Sequence, residues 1–176
     1  MGWRIHFTDA DLDKIEVGEP AGPLAETVMA MSFLRCPLQP PTMFGAWREQ
    51  ARDQFTSQLR PLATLVPPGS RGLDLYTLIG DQPTIEFGIQ GLLELPASDL
   101  LPELEYLARN HRLPRSVWAV AEQGGAARYQ LADAIDAAYR ALLQPHWAKV
   151  SAELAAVRAT WRQAIVRGVV NSAGAF

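Results

Sequence analysis

The chain is poor in the residues that build most chemical centres. Its one cysteine, Cys36, leaves no internal disulfide framework and no multi-cysteine zinc site. Its three histidines, His6, His111 and His146, lie far apart, with no pair at i, i+4 and no H-E-x-x-H frame. An excess of basic charge is missing too. Sixteen Lys and Arg face 19 Asp and Glu, for a formal net charge of −3 and a pI near 5.6, so there is no global nucleic-acid footprint. No apolar run approaches the roughly 18 residues of a membrane span. The opening residues, Met1 to Asp9, lack the apolar stretch of a secretory leader. Together with the lone thiol, these absences lead us to expect a cytoplasmic protein with no membrane partner.

Catalytic signatures are equally scarce. Neither G-x-x-x-x-G-K-[ST] nor G-x-G-x-x-G occurs. Gly69-Ser70-Arg71-Gly72 sets a serine between glycines without the G-x-S-x-G spacing of a nucleophile elbow. Asp9, Asp11 and Asp13 alternate as in a calcium loop, but Lys14 and Pro20 stand where that loop needs Gly and Glu. Glu103 and Glu105, two apart on a helix, point away from each other. Cys36 follows Arg35, which could favour its thiolate, although a single cysteine at a helix end reads first as inert. No catalytic residue, metal or cofactor is expected, and an enzyme is the least favoured class.

What is present is an ordinary globular balance, 48% hydrophobic and 20% charged over 176 residues. We expect one domain over 1–168 and a tail over 169–176. Trp3 to Phe7 alternate as a short strand would, and Ile15 to Val17 offer a second. Between them Thr8 is placed to cap a helix with acids in its first turn. Pro23 opens a helix whose face is Leu24, Thr27, Val28, Met31 and Leu34. Phe44, Trp47, Ala51, Phe55, Leu59 and Leu62 keep the same spacing and predict another. Pro67 to Gly72 is a loop. Ile85, Ile89, Leu92 and Leu93 mark a helix after Thr84, weakened by Gly88 and Gly91. Ser98 or Asp99 caps the next, with Leu100, Leu101, Leu104, Leu107 and Ala108 inward. A short helix buries Val117, Trp118, Val120 and Ala121, and Gly124-Gly125 stops it. Leu131, Ala132, Ile135, Ala138, Tyr139 and Leu142 share one face. After Pro145, Trp147, Val150, Leu154, Val157, Trp161 and Ala164 form a heptad-like seam on a long final helix. The fold class is therefore all-α, a multi-helix bundle with one or two short N-terminal strands and a long C-terminal helix.

Two features bear on recognition. Five tryptophans are many for this length. The plain reading is core packing. The sharper one gathers Trp47, Trp118, Trp147 and Trp161 around a flat apolar ligand. The segment 104–123 scans as a helix-turn-helix, with Arg112, Arg115 and Ser116 free to meet phosphates, although Asn110 or Arg112 stands where the turn expects glycine. A stand-alone DNA-binding protein is the alternative reading on that ground.

Several stretches together resemble the N-terminal helical domain of actinobacterial ArsR-like winged-helix transcriptional regulators. They are Trp3 to Leu12, Pro23 to Val28, Phe44 to Arg48, Leu73 to Leu78, Leu100 to Pro114, and Gln144 to Trp147 with the long helix to Gly168. The resemblance implies a helical accessory domain followed by a DNA-reading winged helix. Only eight residues follow Gly168. A winged helix needs on the order of 60 to 80. The expectation is thus a sensing and dimerising domain without its own winged helix, with no DNA-contacting residue to carry over. Its partners would be a second copy, meeting along Val150, Leu154, Val157 and Trp161, and a small hydrophobic effector. DNA would be reached only through the missing module.

Overall fold

Prolines and caps divide the chain into short helices. A computed structural model describes residues 6, 8–12, 14, 17–36, 44–68 and 72–166. The helices are α1 (Asp9–Leu12), α2 (Pro23–Arg35), α3 (Gly45–Asp53), α4 (Arg60–Leu65) and α5 (Leu75–Ile79). They continue with α6 (Ile85–Glu94), α7 (Ala97–Ala108), α8 (Arg115–Trp118), α9 (Ala126–Ala138) and α10 (Trp147–Val166). There is no strand among the described residues. The strands expected at 3–7 and 15–17 fall largely outside them, and the described members, His6 and Val17, are in irregular backbone.

The chain divides into two compact units, residues 21–150 on one hand and residues 1–20 with 151–176 on the other. In the first, α9 is the axis. It packs against α2, α4, α6 and the tight turns Ser57–Leu59 and Ala119–Ala121. Leu131, Ala134, Ile135 and Ala138 of α9 are fully buried, together with Met31 of α2, Leu92 of α6 and Leu100 and Leu104 of α7. The 3.6-residue spacing of these side chains is the cause: each helix has one apolar face, and burying it stabilises by about 25 cal/mol per Å² of apolar surface.

Local chemistry sets the helix starts. Asp74 caps α5 by accepting from the Thr77 N–H at 3.0 Å. The Thr84 hydroxyl accepts from the Phe87 N–H at the start of α6. Gly88 costs α6 helix propensity, but it is there for contact: a Cβ on it would lie 2.7 Å from Leu24 Cβ. Only glycine lets α6 approach α2 so closely. Gly91 meets Ile79 of α5 in the same way.

Arg128 is the largest fully buried side chain of this core. Its guanidinium donates to Val120 O through Nε at 2.9 Å, to Ala121 O through Nη2 at 2.8 Å and to Leu95 O through Nη1. It ties the end of α6 to the turn before α9. Burial holds its pKa below the ordinary arginine value.

Three expectations are corrected. The helix expected across 44–62 is broken: α3 ends at Asp53, Thr56 is extended, and α4 begins at Arg60. The chain turns extended at Thr56, and Pro61 then sits in the first turn of α4, where its missing N–H costs nothing. Neither Ser98 nor Asp99 caps α7. Extended Pro96 precedes the first turn, and the Ser98 hydroxyl donates to Asp99 at 2.9 Å. Trp118 is not buried but 37% exposed.

Between α9 and α10 the helix widens over Tyr139–Leu143, then tightens over Gln144–His146. Pro145 forces this, since it has no N–H to continue the ladder.

In the second unit, α1 begins with a reciprocal cap. Thr8 Oγ1 donates to Asp11 Oδ2 at 2.6 Å, and Thr8 Oγ1 accepts from the Asp11 N–H at 3.3 Å. The hydrogen bonds from Thr8 hold the Asp11 carboxyl below its ordinary range. Arg158 of α10 donates through Nε to Gly18 O at 2.9 Å and pairs with Glu19.

Candidate functional site

A cavity of about 510 Å³ opens on the surface of the 21–150 unit. That volume lies within the usual range for small-molecule sites. Its walls come from the end of α2, from Phe55, from α4 and the prolines after it, and from the loop 111–114 that joins α7 to α8. Arg35, Arg60, Thr64, His111 and Arg112 supply its polar lining. Phe55, Ala63, Pro67, Leu113 and Pro114 supply the apolar part. The prolines make those walls stiff, because each fixes its own φ.

Arg35, Arg60 and Arg112 all line the cleft, and among the described residues no acid lines it with them. Among the described residues the ion pairs are Arg140–Asp136, Arg158–Glu19 and Arg162–Glu19, none of which involves the cleft. Arg60 and Arg112 are exposed, whereas Arg35 and His111 are half-buried. The Arg35 Nε is shielded from solvent and has no hydrogen-bond partner among the described residues. A donor in that state lacks the acceptor that buried polar groups ordinarily find. Unpaired positive charge beside low-dielectric walls produces a positive potential that draws anions.

Arg48 of α3 works elsewhere. It donates to the Cys36 carbonyl at 2.6 Å, closing the end of α2. Cys36 itself is half-buried beside Arg35. Among the described residues no group of three His, Cys, Asp or Glu side chains could hold a metal ion. No described helix is long and apolar enough to cross a membrane.

The tryptophans occupy different places. Trp47 and Trp147 both pack against the core of the 21–150 unit. The Trp47 indole donates to Leu142 O at 3.0 Å, and Trp147 sits edge-on to Tyr139 with ring centroids 6.4 Å apart. Both therefore brace the widened turn before Pro145. Trp118 is on the surface of α8. Trp161 belongs to the other unit and is 59% exposed. None of the four lines the cavity.

The seam residues also differ. Val150 packs on the core, Leu154 is half-buried, and Val157 and Trp161 are 53% and 59% exposed. The second half of the segment 104–123 is short. After α7, the helix that should read base edges is α8, only four residues long, followed by the tight turn Ala119–Ala121.

In the sequence, Arg112 reads only as a phosphate contact of that motif, Arg35 only as a neighbour of Cys36, and Arg60 carries no reading at all. No spacing rule links the three, because separate elements bring them together. The one available signal is that no acid stands three or four residues from any of them. The chain matches no protein-family model, no curated protein and no solved structure.

Proposed function

We propose that the chain is the regulatory module of an ArsR-like transcriptional regulator, one that senses a small-molecule effector and pairs with a second copy of itself. Reading DNA belongs, on this view, to a separate winged helix. The resemblance described above supports the regulator assignment. The cleft of the 21–150 unit supports the sensing role.

The observation that carries the reading is the state of α10. Beyond Ser151 it is rich in alanine and solvated, yet it presents Val157 and Trp161 at 53% and 59% exposure. Large apolar side chains repeating at helical spacing on a solvated helix mark a face that another surface covers. The 3-4 alternation is the pattern by which two like helices interlock, and a two-fold pair brings the same stripe from each copy.

Sedimentation equilibrium of the chain tests this. The reading expects a dimer, and it expects Val157→Glu with Trp161→Glu to give a monomer of unchanged helicity by circular dichroism. A wild-type chain that stays monomeric at high concentration removes the pairing.

A further inference from the structure

The protein carries a net charge of −3, with 19 acids available as partners. Yet Arg35, Arg60 and Arg112 line one hollow, and among the described residues no acid lines it with them. Like charges held together cost free energy unless an anion joins them. A planar guanidinium fork matches a carboxylate or a phosphate, and two or three forks clamp it.

The hollow is not only cationic. Phe55, Pro67, Leu113 and Pro114 form a rigid apolar wall beside the arginines. At about 510 Å³ the space exceeds what a bare inorganic anion fills. We infer that this cleft binds a small organic oxyanion, a carboxylate or a phosphate monoester, whose charged end meets Arg35, Arg60 and Arg112 and whose apolar body lies against Phe55 and the prolines. This differs from the purely hydrophobic effector expected from the tryptophans. As a binding site the cleft stands independently of the regulatory reading; as an effector site it rests on that reading.

Calorimetric titration of the full chain tests it with four probes: 1-naphthoate, 1-naphthyl phosphate, inorganic phosphate and the neutral 1-naphthamide. One or both naphthyl anions should bind, and the better one identifies the headgroup. Inorganic phosphate and 1-naphthamide should each bind more weakly by about tenfold or more, since each lacks one half of the recognition. The double variant Arg60→Gln, Arg112→Gln changes only exposed side chains. It should lose about tenfold in affinity or more with an unchanged melting temperature. Arg35→Lys should also weaken binding, because it keeps the charge and loses the fork.

The inference is overturned if neither naphthyl anion binds, if 1-naphthamide binds equally, if inorganic phosphate binds equally, or if the double variant binds like wild type. A short DNA duplex that displaces the naphthyl anion and binds more tightly would reassign the arginines to a nucleic-acid backbone. Binding that succeeds while the chain stays monomeric would leave the cleft in place and remove only the pairing of α10.

Discussion

Arg128 shows how one residue can hold several elements. Its guanidinium, fully buried, satisfies carbonyls at the end of α6 and in the turn before α9. Arg128→Met keeps much of the stem but strands at least three buried acceptors, and hydrogen bonds to charged groups are individually worth about 1.5–3 kcal/mol. We expect a loss of about 3 kcal/mol or more, read as a lower urea midpoint at unchanged slope. Glu26, half-buried on α2, behaves in the opposite sense. Burial raises its carboxyl above the ordinary value of 4.5. The native state then keeps a proton that the unfolded chain has already released, so stability falls as pH rises from about 4.5 through the folded value. Glu26→Gln should melt higher than wild type at neutral pH and similarly below about pH 4. Matching pH profiles for the two proteins would mean that Glu26 is well hydrated.

At the scale of elements, glycine and proline decide where helices run and how near they come. Gly88→Ala gains about 1 kcal/mol of helix propensity. It also drives a methyl to within 2.7 Å of Leu24 Cβ, an overpacking that costs about 1–3 kcal/mol. The net effect should be a lower melting temperature. Gly45, in the first turn of α3, has nothing within 4 Å of the place a Cβ would take, so Gly45→Ala should raise the melting temperature by the propensity gain alone. Equal signs for the two variants would refute the close-approach argument. The faces of α2 and α9 were legible in the sequence because apolar spacing specifies them directly. The break between α3 and α4 was not legible, because the apolar spacing continued across it. The close approach of α6 to α2 was not legible, since one sequence does not reveal what a glycine faces.

For the whole molecule, the buried core of the described residues runs from Leu24 to Leu143, inside the 21–150 unit. A fragment of residues 21–150 should therefore fold by itself, with a cooperative melt and the shielded fluorescence of Trp47 and Trp147. A fragment with native helicity but no cooperative transition would show that the remaining residues are needed for packing. By itself, the order of the residues settled the helical class, most helix faces and the start of α2. Each of these follows from local periodicity and from backbone chemistry within a few residues. Tertiary structure alone decided that Arg128 is buried, that Trp118 is on the surface, and that Arg35, Arg60 and Arg112 share one cleft. Those facts depend on which elements meet, and charge convergence across distant segments leaves no periodic trace in a chain.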